Sequence, residues 1–440
     1  MRGLPRSEGD PFGNHRGQLA AGYGWHPRHA HIPGGKPLSN RGDLPLAGLR
    51  IIAIEQFGAG PFATLALADL GAEVIKVEDP GSGGDVGRYV PPGQKGADSL
   101  YFETFNRGKR SIVLDIKAPA GRVIFEKLVR TSAVVFNNLR GDLPDELGLT
   151  YETLKELDPR IVCVSLSGYG RRGTRRADPG YDALVQAEVG WAAMTGEPDA
   201  PPTKTGLSLA DYAAGLTAAI AIMAGVFEAQ RTGVGRDLDV NLFDVAAWLL
   251  TYPATWYLSL RVGMDRLPLS AHPSIVPFQF FAAADGYLAI ACAKPRFFEI
   301  LCEALGTPSL ALEERFRDFA ARSAHREELT AILSEKLRAR KVAEWVALLR
   351  GRIPIAPVRS PEDALDDPEL QERGLIGVYE HERLGTVRAL RTAIDLQAQV
   401  AMRPAPALDE DGPEILRSLG YSDDEVRRLG SSGAFGKRTL

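Results

Sequence analysis

The alternation of short apolar runs with helical segments near the N-terminus constrains the fold of this chain more than any other feature. The runs "LRIIAIE" (Leu49 to Glu55) and "EVIKVE" (Glu73 to Glu78) have the length of buried strands. Between them, "FATLALADLG" has the apolar spacing of a helix. A strand, a helix and a second strand form a βαβ unit, whose two strands run parallel. The chain is therefore predicted to contain a parallel sheet.

The same alternation continues along the next hundred residues. A helix from about Pro119 to Thr131 leads into the strand Ala133 to Asn138, and a helix from Tyr151 to Leu157 leads into the run Arg160 to Gly170. This order predicts an α/β fold with a large doubly wound, mostly parallel-sheet domain. Asn138 follows the carboxyl end of a strand, where ligands of such sheets bind.

A second pattern begins after residue 276. The run "FQFFAAADGYLAIACA" (Phe278 to Ala293) predicts a hairpin that turns at Asp285 and Gly286, and helices at Pro295 to Leu305 and Arg326 to Leu349 follow it. We therefore predict a smaller α+β domain. The predicted boundaries are a disordered extension (1–45), the first part of the large domain (46–250), a linker (251–276), the small domain (277–350), and a return linker with the C-terminal part of the large domain (351–440).

Composition narrows the classes of partner. The formal net charge of −4 gives no basic excess, so neither a nucleic-acid nor a membrane partner is predicted. The longest apolar run, Leu216 to Phe227, is shorter than the ~20 residues that span a bilayer. Three scattered cysteines fit a reducing cytoplasm, and the few histidines after the first 45 residues predict no metal site.

One carboxylate, Asp211, stands at the head of the long small-residue run "LADYAAGLTAAIAIMAG". Ser208 and Asp211 have the spacing of a capping box, which is a purely local explanation. The alternative is chemical, because a poorly hydrated carboxylate is a better nucleophile toward a carbonyl carbon. The residues around Asp211 alone do not separate the two interpretations.

The first βαβ turn suggests a different chemistry. Gly58, Gly60 and Ala63 fit G-x-G-x-x-A, and Glu78 follows at the spacing of a ribose-binding acid, which together suggest an NAD(P)-dependent dehydrogenase. Pro61 argues against this alternative, because it stands at a helix start that should offer N–H donors.

An ordered series of motifs supports another interpretation. The motifs are, in order, "LAGLRII", "GAGPFATLALADLGAEVIKVE", "NRGKRSIVLDIK", "NNLRGDLPDELGL", "SLSGYG", "PGYDALVQAEVG", "MTGEPDAPPTKTGLSLADYAAGL" and "RTGVGRDLDVNLFD". By this series the chain resembles, from Pro45 to about Ser432, the class III CoA-transferases, a family that includes formyl-CoA and carnitine-CoA transferases and is also called CaiB/BaiF.

The resemblance implies a reaction and an assembly. Asp211 matches the family's nucleophile, which attacks an acyl-CoA thioester and passes CoA to a free carboxylic acid through anhydride and aspartyl-CoA thioester intermediates. The CoA thioester is then a substrate, and no permanently bound cofactor is implied. Family members form interlocked homodimers, so a homodimer is expected here.

The resemblance also implies binding residues. Ala59 and Leu114 match positions along the nucleotide and pantetheine of CoA, Asn138 and Arg140 match a CoA-binding turn, and Tyr181 matches the lining of the acyl site. Two positions depart from the pattern. Asp79 and Glu146 stand where relatives often have basic residues near the adenosine phosphates, and Lys109 and Arg110 are expected to compensate.

Two alternatives share much of this pattern. The α-methylacyl-CoA racemases resemble the chain almost as well, but they carry a histidine where Tyr181 precedes Asp182, and tyrosine is a poor base at neutral pH. A non-catalytic CoA-ester binding protein is the other alternative, and the retained Asp211 speaks against it.

The loop "SAHPSIVPFQFF" (Ser270 to Phe281) looks closest to the family branch that acts on dicarboxylic acids of four to five carbons. In that branch His272 and Ser274 are candidates for binding a distal carboxylate. A simple turn is the alternative for this stretch.

Overall fold

The largest sheet of the computed structural model, which describes residues 43–396 and 400–436, has six parallel strands in the order β3-β2-β1-β4-β5-β6. The predicted disordered extension lies outside the described residues up to residue 42. The strands are β1 (Arg50–Ile54), β2 (Glu73–Glu78), β3 (Arg110–Val113), β4 (Val134–Asn137), β5 (Val162–Ser167) and β6 (Asp237–Asn241). This confirms the predicted doubly wound sheet, in which the strand order reverses between β1 and β4.

Each face of this sheet carries its own apolar core, because successive side chains of a strand point to opposite faces. Ile51 and Ala53 of β1 lie in one core, and Ile52 between them lies in the other. The helices up to residue 260 are α1 (Ala59–Asp69), α2 (Leu100–Asn106), α3 (Pro119–Val129), α4 (Leu143–Glu146), α5 (Tyr151–Leu154), α6 (Asp182–Glu188), α7 (Trp191–Met194), α8 (Leu209–Thr232), α9 (Leu242–Trp248) and α10 (Thr251–Leu260).

Helix α8 packs against α1, α9 and β5. Its small residues permit this close approach: a β-carbon at Gly215 would lie 2.7 Å from the carbonyl oxygen of Ala59, and one at Gly225 would lie 2.6 Å from Val162. By length and composition alone, α8 is the one helix among the described residues that resembles a membrane span, and half of its apolar window is buried inside the protein.

A separate core surrounds a smaller antiparallel sheet, β7 (Phe278–Ala282), β8 (Tyr287–Ala291) and β9 (Ile355–Pro357), in that order. The predicted hairpin at Asp285 and Gly286 is confirmed by the pairing of β7 with β8. The helices of this part are α11 (Pro295–Ala304), α12 (Phe319–Ala324), α13 (Arg326–Leu337) and α14 (Val342–Leu349). The exact domain boundaries stay predictions.

The C-terminal part returns to the large sheet. It contains α15 (Pro361–Leu365), α16 (Pro368–Glu372), the antiparallel pair β10 (Ile376–His381) and β11 (Gly385–Leu390), α17 (Gly412–Ser418) and α18 (Asp423–Ser431). Ile415 and Leu416 of α17 lie in the core on the face of the sheet opposite α8.

Candidate active site

Asp211 lies in the first turn of α8 with its side chain turned inward. The residue is 8% exposed, and its carboxylate makes no hydrogen bond or ion pair with the residues that the structure describes. Polar groups at this depth are normally satisfied by a partner. A buried carboxylate without one is therefore available for another role.

The start of α8 is capped by a different acid. Asp182 Oδ1 accepts hydrogen bonds from the N–H groups of Ala210 at 2.8 Å and Asp211 at 3.4 Å, while Ser208 provides no side-chain cap. Gln186 Nε2 donates to the other oxygen, Asp182 Oδ2, at 2.7 Å. The predicted capping box of Ser208 and Asp211 is therefore wrong, because Asp182 already occupies the donors that Ser208 would bind.

The position of Asp211 changes its acidity. Burial raises the pKa of its carboxyl group from 3.8 to about 7, and the nearby carboxylate of Asp182 adds to the rise. Near neutral pH a substantial fraction of Asp211 is consequently ionised but poorly hydrated.

The turn between β1 and α1 borders this carboxylate. A β-carbon on Gly58 would lie 3.3 Å from Asp211 Oδ2, so the backbone of the turn is in direct reach of the carboxylate. Phe57 adopts a left-handed conformation with φ of 68°, which is uncommon for a residue other than glycine. The N–H groups of Gly58 and Ala59 have no acceptor within residues 43–396 and 400–436. Free donors therefore lie beside a free carboxylate.

Two side chains hold this turn in place. Asn138 spans the switch point between β1 and β4: its Oδ1 accepts from the N–H of Gln56 at 2.9 Å, and its Nδ2 donates to the carbonyl oxygen of Gln56 at 2.8 Å. Asp85 Oδ1 accepts from the N–H of Phe57 at 2.9 Å. These bonds offset the cost of the left-handed residue, which is about 1–3 kcal/mol.

A fully buried ion cluster lies beneath the turn. Lys76 Nζ lies 2.8 Å from Asp85 Oδ2 and donates to the carbonyl oxygen of Glu55 at 2.9 Å. Lys109 Nζ donates to Glu55 Oε1 at 2.7 Å. Burial lowers the pKa of Lys76, but Asp85 and Glu55 raise it more, so its ammonium group stays charged. The cluster thereby fixes Asp85.

Aromatic rings form one wall near Asp211. The rings of Phe57 and Tyr101 are 5.2 Å apart, and Tyr181 meets Phe57 edge-on at 6.4 Å. Burial and the neighbouring Tyr212 and Asp211 raise the pKa of the Tyr101 phenol, which keeps it neutral at working pH. Tyr181 is 61% exposed, so one side of the wall opens to solvent.

The structure brings together only some of the residues named from the sequence. Ala59 begins α1 beside Gly58, and Asn138 packs on Gly60, where a β-carbon would lie 2.7 Å from its side chain. Leu114 is buried in the core on the face of the sheet opposite α8. Arg140 is exposed and pairs with Asp142 through two bonds of 2.7 Å. The CoA-binding roles of these residues stay predictions.

The expected compensation by Lys109 and Arg110 is wrong. Lys109 is buried and held by Glu55, and Arg110 pairs with Glu73 and Asp411. Neither cation is free to meet a phosphate.

In the loop at 270–281 the structure shows the simple turn, because His272 Nδ1 accepts from the N–H groups of Ser274 and Ile275, both at 3.1 Å.

The sequence did not predict which residues surround Asp211. Gly58, Asp85 and Asp182 lie far apart in sequence, and only the fold places them around Asp211. The one available signal was Lys76 in the middle of a buried strand, since a lysine there requires an acidic partner.

Comparison with known proteins identifies the family of this chain. Residues 46–412 match the model of CoA-transferase family III, and the chain belongs to this family of CoA-transferases. It is 37% identical to the succinate–glutarate CoA-transferase of Agrobacterium fabrum, over 85% of this chain and 96% of that protein. It is 36% identical to the succinyl-CoA:glutarate CoA-transferase of Mus musculus, over 91% and 92% of the two chains.

A crystal structure of a CaiB/BaiF family protein from Brucella suis has the same fold. Its TM-score is 0.72 at 35% sequence identity, and the match covers 86% of this chain and 99% of that one. The dehydrogenase alternative is thereby set aside. Physically, Glu78 is buried and bound by Arg88 and Ser111, so it has no oxygen left for a ribose hydroxyl.

Proposed function

We propose that this enzyme transfers CoA from an acyl-CoA thioester to a free dicarboxylic acid of four or five carbons, with Asp211 as the nucleophile. The observation that supports this proposal most directly is the buried carboxylate of Asp211. This carboxylate has no hydrogen-bond or ion-pair partner in the described residues and lies beside free backbone N–H groups at the switch point of the sheet. The two relatives named for succinate and glutarate support the choice of acid.

In the first half of the reaction, a carboxylate oxygen of Asp211 attacks the thioester carbonyl carbon. The carbon–oxygen bond forms, the carbon–sulfur bond breaks, and an acyl–aspartyl anhydride and CoA thiolate result. The thiolate then attacks the aspartyl carbonyl of the anhydride. This gives an aspartyl-CoA thioester and releases the donor acid as its carboxylate.

The second half reverses these steps with the acceptor. The acceptor carboxylate attacks the aspartyl thioester, and the expelled thiolate attacks the acceptor side of the new anhydride, which yields the new acyl-CoA and restores Asp211. Each attack places negative charge on a carbonyl oxygen. The free N–H groups of Gly58 and Ala59 are the donors that we assign to this charge.

The raised pKa of Asp211 suits this chemistry. Attack requires the carboxylate form, so kcat/KM is expected to rise with pH through about 7. Poor hydration makes that carboxylate more reactive than one in water. The buried position also keeps water away from an anhydride and a thioester, both of which hydrolyse.

The assignment is tested by offering succinyl-CoA with a panel of free acids and separating the CoA products by chromatography. We expect glutaryl-CoA or a related dicarboxyl-CoA to appear as succinyl-CoA disappears. If no acid accepts CoA, the proposal fails. Exchange of α-deuterium without CoA transfer would instead identify a racemase.

Replacing Asp182 by asparagine is expected to shift the acid limb of the pH profile of kcat/KM to lower pH. The substitution removes a like charge that raises the pKa of Asp211, while the asparagine oxygen still accepts from the start of α8. The pH dependence of CoA transfer measures the shift. The exposed Asp199→Asn variant is the control. An acid limb at the parental pH in Asp182→Asn would contradict the assignment.

We also propose that the enzyme is a homodimer. Leu209, Leu216, Ile220 and Phe227 form an apolar stripe on the outer face of α8, and the last two are each 69% exposed. Monomeric proteins rarely leave such a stripe uncovered, and symmetric pairing with a second copy buries it.

Light scattering is expected to give the mass of two chains for the parent. The double variant Ile220→Glu with Phe227→Glu should give the mass of one chain, because it places charge in the buried interface. Val123→Glu, which changes an exposed residue of α3, is the control. A parental monomer would overturn the proposal.

A further inference from the structure

Gly58 is a glycine that its own backbone does not require. Its φ of −107° and ψ of −72° lie in the right-handed region, which any residue can adopt. The reason that this position holds a glycine therefore lies in the atoms around it, not in its backbone conformation.

The neighbours of Gly58 differ from those of the packing glycines nearby. At Gly60 a β-carbon would collide with the side chain of Asn138, and at Gly215 with the backbone of Ala59. At Gly58 it would instead lie 3.3 Å from Asp211 Oδ2 and 3.5 Å from the hydroxyl oxygen of Tyr101. Within the described part of the chain, neither side chain makes a hydrogen bond through these oxygens. The missing side chain therefore leaves open space at the nucleophile.

That space is the place where the acid must lie. A carbonyl carbon attacked by Asp211 has to come within about 3–3.5 Å of its oxygen. A carbonyl that meets Asp211 Oδ2 on this side has Gly58 next to it, together with Tyr101, whose ring lies 5.2 Å from that of Phe57. A side chain at position 58 would narrow this passage from the side of the turn.

We propose that Gly58 determines which acids the enzyme accepts, by leaving room beside Asp211 for the carbon chain of a four- or five-carbon dicarboxylic acid. The inference rests on the proposed CoA transfer and adds a specificity-determining residue to it. It assigns no step of the reaction to Gly58 itself, apart from the backbone N–H.

The test compares the parent with Gly58→Ala on acceptors of increasing length: oxalate, malonate, succinate and glutarate, with acetyl-CoA as the common donor. One methylene group in a pocket changes kcat/KM by about 10- to 200-fold. We expect Gly58→Ala to lose at least about tenfold with glutarate and less than about threefold with oxalate. Gly263→Ala, a position with no atom within 4 Å of the added carbon, is the control.

An equal loss with every acceptor, or no loss at all, would overturn the inference while the transferase assignment stands. A parent that transfers CoA to none of the acids, from acetyl-CoA or from succinyl-CoA, would overturn the assignment itself. Should Gly58→Ala fail to fold, the kcat/KM values of the parent with the four acids still test the inference. The inference expects kcat/KM for glutarate to equal or exceed that for oxalate, and a parent restricted to oxalate and malonate contradicts it.

Discussion

Replacing Asp211 by asparagine is expected to lower CoA transfer by a factor on the order of 10⁴ or more, because the variant has no carboxylate to form the anhydride. Asparagine keeps nearly the same volume and leaves the backbone bonds to Asp182 intact. The rate is measured from CoA products separated by chromatography. Asp211→Ala should behave alike, and the exposed Asp199→Asn should retain the parental rate.

The same variant separates loss of chemistry from loss of structure. A carboxyl group whose pKa rises from 3.8 to about 7 on folding destabilises the folded protein increasingly as pH rises between these values, by at most roughly 4 kcal/mol. Asp211→Asn removes this cost. At pH 8 we expect its free energy of unfolding to exceed that of the parent by ~1–3 kcal/mol, and the difference to shrink toward pH 4.

An inactive variant with raised stability is the pattern of a residue kept for function at the expense of stability. An Asp211→Asn variant that is both active and stable would show that the carboxylate has no role in the reaction. An inactive variant that is less stable than the parent at pH 8 would leave its inactivity attributable to misfolding, and would contradict the account of the desolvated acid.

The second large effect is expected in the buried ion cluster. Lys76→Met should lower the free energy of unfolding by ~3–5 kcal/mol, because it leaves the carboxylate of Asp85 buried without its ammonium partner and leaves Glu55 with Lys109 alone. Urea denaturation at pH 7.5 measures the change. CoA transfer should fall as well, because Asp85 then no longer fixes the N–H of Phe57.

The matched control is Lys155→Met. Lys155 pairs with Glu152 on the surface, where ion pairs contribute little to stability. The denaturation midpoint of Lys155→Met should therefore stay at the parental value. Parental stability of Lys76→Met would show that Asp85 and Glu55 do not depend on this ammonium group, and that the cluster does not support the turn next to Asp211.

Much of the fold could be predicted because its strands have a clear apolar pattern. The strand Glu73 to Glu78 has the predicted bounds, and the hairpin at Asp285 and Gly286 was marked by its turn residues. The pair β10 and β11 was missed. In β10 the buried residues are Gly377 and Tyr379, whereas Val378 faces solvent, so the apolar pattern does not reveal the inner face.

Within the candidate site, the sequence singled out one residue and not its surroundings. Asp211 stood out as the one acid at the head of an apolar run. The residues around it come from separate segments, and their closeness depends on how β1, β4 and α8 meet. Local spacing also gave a wrong prediction. It predicted a capping box of Ser208 and Asp211, whereas Asp182 caps the start of α8. Lys109 likewise reads as a surface cation until the fold buries it against Glu55.

The central claim is that CoA becomes covalently attached to Asp211 during transfer. Its most direct measurement is peptide mass spectrometry of the enzyme after incubation with succinyl-CoA and quenching with hydroxylamine, which converts an aspartyl thioester or anhydride into a hydroxamate. We predict a hydroxamate on Asp211 in the parent, and none without succinyl-CoA or in Asp211→Asn. An unmodified Asp211 in an enzyme that is turning over, or a hydroxamate on another residue, would contradict the account.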